Sequence, residues 1–249
     1  MTTAIIVQAR MKSTRLPGKV MMDLAGKTVL EHVLTRLQTV RGADVICCAV
    51  PDASSSDPVA TEAERIGVLV FRGSEEDVLD RYYQAAKMCG ADRIVRVTSD
   101  CPVIDPFVCG EVIKLLKMSG ADYACNNMPP SWPHGLDCEA ITFKWLERSA
   151  CEAIKKFERE HVTQYVRNHS DAKIANLSGP GKDVVHHRWT IDTPEDYAFF
   201  KMLWPRLPEG SASMDYRNIL KIVEDDPTLA AINAGQDRFE GLKKSMAEN

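Results

Sequence analysis

Short apolar runs alternate with helical stripes along the first half of the chain. Residues 4–9 form a nearly continuous apolar run that reads as a buried strand. From 28 to 40, Val29, Val33, Leu34 and Leu37 recur at helical spacing. The alternation continues with a strand over 44–50, a helix over 57–66 ending at Gly67, and a strand over 68–71. A helix over 76–89 turns Val78, Leu79, Tyr82, Tyr83 and Ala86 inward and stops at Gly90. A strand over 93–97 and a helix over 106–118, stopped by Gly120, complete the series. Such repeats require crossovers, so the expected fold is α/β around a mostly parallel central sheet. In these sheets ligands sit beyond the carboxyl ends of the strands, so the residues just after each strand carry the interest.

The second half is less regular. A Pro-containing loop fills 126–135, and a strand is expected over 138–143. Helices follow over 144–153, 159–168, 194–203 and 216–223. No repeat or low-complexity tract interrupts the chain.

Composition sharpens this picture. The 249 residues are 45% hydrophobic and 27% charged, with a net charge of −4. That is the profile of a globular protein able to bury a sizeable core. The acidity argues against a general nucleic-acid surface, while a single nucleotide needs only a local basic cluster. The apolar run at 4–7 is too short for a secretory leader, and no stretch approaches the roughly 20 apolar residues of a membrane span. A cytoplasmic protein without nucleic-acid or membrane partners is expected. Eight cysteines occur with no C-x-x-C pair, which suits reduced, buried thiols better than a zinc site.

The chemistry concentrates after the strands. The first strand leads into Q-A-R-M-K-S-T-R-L-P-G-K at 8–19, which gathers Arg10, Lys12, Arg15 and Lys19 with Ser13, Thr14 and Gly18. A loop of this kind offers backbone N–H groups and fixed positive charge to a polyphosphate, although a solvated basic loop has the same composition. The spacing is not that of a Walker A loop. The fourth strand leads into R-V-T-S-D-C-P at 96–102, where Asp100 suits either a magnesium ion or a turn cap. In W-T-I-D-T-P-E-D at 189–196, Asp192 or Thr193 caps the next helix and Pro194 fits its first turn. Asp137 and Glu139 follow the Pro-containing loop.

Together these blocks resemble the CMP-sugar synthetases, which include the 3-deoxy-manno-octulosonate and acylneuraminate cytidylyltransferases. The nearest likeness is to the SpsF-type branch. It rests on A-R-x-x-S-x-R-L-P-G-K at 9–19, F-R-G-S at 71–74, D-V-L-D-R-Y at 77–82 and R-V-T-S-D-C-P. G-L-D-x-E at 135–139, R-E-H-V-T at 159–163 and R-W-T-I-D-T-P-E-D at 188–196 follow in family order. The resemblance implies a Rossmann-like nucleotidyltransferase fold with a small substrate-side dimerisation element. One domain over 1–249 is expected, with a nucleotide-binding half at 1–125, an acceptor and dimerisation element at 126–190 and C-terminal helices at 191–249.

The resemblance also implies transfer of CMP from CTP to an acceptor with release of pyrophosphate. It assigns Arg10, Arg15 and Lys19 to catalysis and, with Ala9, Ser13 and Ser99, to the nucleotide. It places Arg72, Gly73, Ser74 and Asp77 at the base and ribose, and it makes Asp100 and Asp192 ligands of Mg2+. Asp137, Glu139, His161 and Arg188, with Glu160 and His134 nearby, would face a small anionic acceptor. Without the resemblance, Asp137 and Glu139 read equally well as surface charges and His161 as a packing or capping residue. The expected acceptor is an acidic sugar of the ulosonic or nonulosonic type used for surface glycans, and the expected assembly is a homodimer. A phosphonate or alditol phosphate is the alternative acceptor. A guanylyltransferase is disfavoured because its first loop is a run of glycines. A nucleotide-sensing domain without turnover is disfavoured because Lys19, Asp100 and Asp192 are all present.

Overall fold

The computed structural model describes residues 1–208 and 215–247. Parts of the 191–249 stretch therefore lie outside the described residues.

The chain opens with β1 (Thr3–Gln8). A small hairpin follows, β2 (Asp23–Leu24) and β3 (Lys27–Thr28), then α1 (Val29–Leu37). Next come β4 (Val45–Pro51), α2 (Asp57–Arg65), β5 (Leu69–Gly73) and α3 (Val78–Met88). After β6 (Arg93–Thr98), α4 (Pro106–Ser119) and β7 (Tyr123–Cys125), the long loop leads to β8 (Glu139–Thr142). Then follow α5 (Phe143–Glu152), α6 (Lys156–Glu160), α7 (Gln164–Asn168) and β9 (Ile174–Asn176). The last elements are α8 (Pro194–Leu203), α9 (Tyr216–Asp225), α10 (Pro227–Ala231) and α11 (Glu240–Ala247).

Seven strands form one sheet in the order β5-β4-β1-β6-β8-β7-β9. β5, β4, β1 and β6 run parallel, and β9 runs parallel to β7. β8 is antiparallel to both of its neighbours. Ile5 and Val7 of β1 pack into one apolar layer, and Ala4 and Ile6 pack into another on the opposite face. Both faces of the strand are thus covered, which is why its sequence reads as an unbroken apolar run. A third layer, built on Trp189, Ile191, Phe199 and Phe200, anchors the C-terminal helices.

Three expectations shift. The helix expected from 76 begins at Val78, because Asp77 accepts a hydrogen bond from the Asp80 N–H and acts as its cap. The strand expected over 138–143 ends at Thr142, and Phe143 opens α5. The single helix expected over 159–168 is two short ones. Val162, at φ 59°, breaks the path between α6 and α7. A β-branched residue seldom adopts that conformation, so the apolar spacing gave no warning of the break. No helix among the described residues is long and apolar enough to cross a membrane.

Candidate active site

The carboxyl ends of β1 and β6 sit side by side, and the site grows from their two loops. After β1 the chain folds back on itself. The Gly18 N–H donates to the Met11 carbonyl at 2.9 Å, closing the loop, and Gly18 takes φ 70°. Buried Val20 then pins the turn to the core, which leaves Lys19 facing inward.

After β6, Asp100 lies beside a segment from far along the chain. The Ile191 N–H donates to the Asp100 carbonyl at 2.8 Å, and the fully buried Trp189 and Ile191 fix that segment in place. Asp192 follows at once. Thr193 and Asp196 form a reciprocal cap at the start of α8. Arg188 grips Asp196 through two N–H···O contacts, at 2.8 and 2.9 Å, and reaches Asp192 at 3.2 Å.

These elements converge on one ammonium group. Lys19 Nζ lies 2.7 Å from Asp100 Oδ2 and 2.7 Å from Asp192 Oδ1. Arg15 adds a second cation 3.1 Å from Asp192. Burial works against both charges of the Lys19–Asp100 pair, yet their attraction outweighs it. Lys19 is held above its ordinary value and Asp100 below its own. The Lys19 side chain is only 12% exposed, so it is not the exposed loop cation that its sequence context suggests.

The donor set also bears on metal binding. Two carboxylates already meet at a single cationic point, and magnesium takes one or two carboxylates with phosphate and water completing its shell. Asp100 and Asp192 fit that requirement. Among the described residues no cluster of three or more acidic, histidine or cysteine side chains forms an all-protein cage.

Two adjoining cavities flank this centre and share part of their lining. The first, of about 280 Å³, is lined by the loop residues Ala9, Arg10, Ser13, Arg15 and Lys19 and by Ser99 and Asp100. The second, of about 240 Å³, is lined by Asp137, Glu139, His134 and His161, among others. Arg15, Asp100, Asp192 and His161 border both. Gly135 ties the second cavity to the 188–190 segment. At φ 110°, a Cβ there would sit 2.1 Å from the Trp189 carbonyl oxygen, so only glycine fits.

Several expected site residues do not border these two cavities. Arg72, Gly73, Ser74 and Asp77 line neither cavity. Arg72 pairs with Asp57 at 2.8 Å. Asp77 caps α3 and pairs with Arg159 at 2.6 Å. Ser74 accepts a bond from the Asp77 N–H at 2.9 Å, and the Gly73 carbonyl accepts one from the Asp52 N–H at 2.7 Å. Arg188 also lines neither cavity; it orients Asp192 from behind. Glu139 is not a surface charge, being 3% exposed.

Other cavity residues escape the sequence reading. Arg81 is buried on the inner face of α3 and borders the first cavity. Arg96 borders both cavities from β6, while Arg167 and Arg238 border the second. An arginine inside an apolar strand, or at a core position of a helix stripe, was the available signal for Arg96 and Arg81. Arg238 carried none. It arrives with α11, which lies across the opening: Gly241 borders both cavities and Glu240 pairs with Arg15. Ser245 of the same helix donates to Glu160 at 2.9 Å and meets His161 at 3.1 Å.

Comparison with known proteins identifies the family and the fold. A family model described as cytidylyltransferase matches residues 4–203. The spore coat polysaccharide biosynthesis protein SpsF of Bacillus subtilis (strain 168) is 34% identical over 218 residues, covering 84% of this chain and 90% of SpsF. A 3-deoxy-manno-octulosonate cytidylyltransferase of Anaeromyxobacter sp. (strain Fw109-5) is 35% identical over 106 residues, 41% of this chain and 42% of that protein. Among solved structures, a cytidylyltransferase from Leptospira borgpetersenii serovar Hardjo-bovis superposes with a TM-score of 0.87 at 31% identity, covering 95% of this chain and 98% of that one.

Proposed function

The chain belongs to the cytidylyltransferase family, and from that premise we propose that it moves CMP from CTP onto a small acidic sugar of the ulosonic or nonulosonic type. Pyrophosphate is the second product, and surface glycan synthesis is the use. The observation that carries this reading is the meeting of Lys19, Asp100 and Asp192 at the foot of a cationic loop, between two adjoining cavities.

Nucleotidyl transfer asks a protein mainly for alignment and charge stabilisation. Arg10, Ser13, Arg15 and Lys19 face the cavity that would take the triphosphate. Arg15 and Lys19 would balance the charge that builds on pyrophosphate as it leaves. The acceptor oxygen then bonds to the α-phosphorus as its proton passes to water, while the bond from the α-phosphorus to the β-phosphate oxygen breaks. Mg2+, held by Asp100 and Asp192, would polarise the α-phosphate and lower the pKa of the acceptor hydroxyl. Arg188, locked to Asp196, keeps the Asp192 carboxylate aimed at this centre. In the second cavity, His134 accepts from Arg188 at Nδ1 if its proton sits on Nε2, and burial holds its pKa down. It then offers a neutral N–H to a sugar hydroxyl.

Relatives that act in polysaccharide synthesis and on 3-deoxy-manno-octulosonate support an acidic sugar. The dimer reading draws on the 126–190 stretch, where Ile154 and Ile174 are exposed. Incubation with CTP, Mg2+ and a panel of ulosonic acids, nonulosonic acids, phosphonates and alditol phosphates tests the acceptor. A mass corresponding to the CMP conjugate of one sugar acid is expected. Conjugates of phosphonates or alditol phosphates alone would overturn the acidic-sugar assignment.

A further inference from the structure

The second cavity holds an uneven charge balance. Lys19 and Arg15 already meet the carboxylates of Asp100 and Asp192. Arg238 meets Asp137 at 2.6 Å, and Lys243 answers Asp237. Glu139, by contrast, is one carboxylate serving two guanidinium groups, Arg96 and Arg167.

Glu139 is shared between these guanidinium groups and two hydroxyls. Its Oε1 also accepts from the Tyr123 hydroxyl and, at 2.7 Å, from the Thr163 hydroxyl. Oε1 thus takes Arg167 and both hydroxyls, while Oε2 takes Arg96. Burial opposes its ionisation, but the two arginines outweigh that and hold its pKa at about 2. The cluster therefore carries one surplus positive charge away from bulk water. Arg96 Nε is buried and has no hydrogen-bond partner among the described residues. An unpaired buried donor beside an uncompensated cation is costly unless a ligand meets both.

We propose that Arg96 and Arg167, held apart by Glu139, form an oxyanion clamp that takes the acid group of the acceptor. The proposal builds on the acceptor reading above and gives the acid group its place. Arg167 borders only the second cavity and Arg96 borders both, so the clamp lies on the side of the centre away from Lys12, Ser13 and Thr14 of the triphosphate loop. A carboxylate or a phosphonate presents the paired oxygens that guanidinium groups bind best.

The test uses the full chain labelled with 15N and observed through its arginine Nε–Hε signals. Sodium sulfate is titrated at constant ionic strength, with and without saturating CTP. Saturable shifts at Arg96 and Arg167 are expected, and they should persist with CTP present. Arg167→Gln leaves Arg96 and Glu139 as a balanced pair, so it should fold, and it should weaken sulfate binding about tenfold. Arg167→Lys should retain part of the affinity. No saturable shift, full competition by CTP, or unchanged affinity in Arg167→Gln would overturn the clamp. Repeating the titration with 3-deoxy-manno-octulosonate and with methylphosphonate separates the two acid chemistries. Failure of CTP to bind would sink the cytidylyl-transfer reading, while the sulfate titration would still decide the clamp.

Discussion

Lys19 concentrates the account at the scale of single residues. It has two carboxylates at 2.7 Å and is nearly enclosed. Lys19→Ala should therefore reduce pyrophosphate release from CTP by a factor on the order of 10² or more. The variant should also melt at a lower temperature, because breaking a partly buried pair leaves a carboxylate under-compensated. A melting curve beside the activity assay checks both halves. Normal activity with a lowered melting temperature would assign Lys19 a structural role alone. Part of this residue-scale picture was legible in the sequence. The cations of the loop, Asp100 and Asp192 stand at strand exits, and strand exits are where such sheets place ligands. Arg167 and Arg238 were not legible. Arg167 sits in the short helix α7, whose placement depends on the Val162 break, and Arg238 in the turn that leads into α11.

At the scale of elements, two pieces set the shape of the site. The 134–137 loop meets the 187–189 segment through the His134 N–H to His187 carbonyl bond at 2.9 Å and the Trp189 N–H to His134 carbonyl bond at 2.6 Å. Gly135→Ala would drive a Cβ into the Trp189 carbonyl and should cost about 3 kcal/mol or more, read as a lowered urea midpoint. A midpoint within error of wild type would mean that the loop can move aside. The second piece is α11, which has no buried residue and is held over the cleft by polar contacts. Glu240 occupies Arg15, which the triphosphate would also need. Glu240→Gln should then tighten CTP binding about threefold to tenfold by calorimetry, equivalent to roughly 0.6–1.4 kcal/mol. Unchanged or weaker binding would show that Glu240 does not compete. The regular α/β half was readable because burial on both faces writes itself as apolar runs. α11 left little trace because its contacts are polar and far apart in sequence.

Over the whole molecule, buried ionisable groups set the acid limit of stability. His187 is buried and neutral, with its pKa depressed to about 4 from an ordinary 6.5 by burial and by His186. The unfolded chain binds that proton more readily, so this contribution is intact above pH 6.5 and is lost as pH falls toward 4. Glu139 behaves similarly at lower pH. Its contribution is complete above the unfolded value of 4.5 and fades as pH falls through about 2. Urea midpoints should therefore decline first between pH 6.5 and 4 and again between 4.5 and 2. A flat profile from pH 7 to 4 would contradict the buried neutral histidine.

The parallel sheet brings the β1 and β6 loops side by side, and the C-terminal layer delivers Asp192 from far along the chain to complete the centre. The most direct measurement is pyrophosphate release from CTP with a sugar-acid acceptor, comparing wild type and Asp100→Asn over a range of Mg2+ concentrations. The account predicts that wild-type release needs the divalent cation. Asp100→Asn should lose release by a factor on the order of 10² or more while retaining its fold by circular dichroism. Wild-type release without a divalent cation, or near-normal release by Asp100→Asn, would contradict the assignment of the Lys19–Asp100–Asp192 centre to the chemistry.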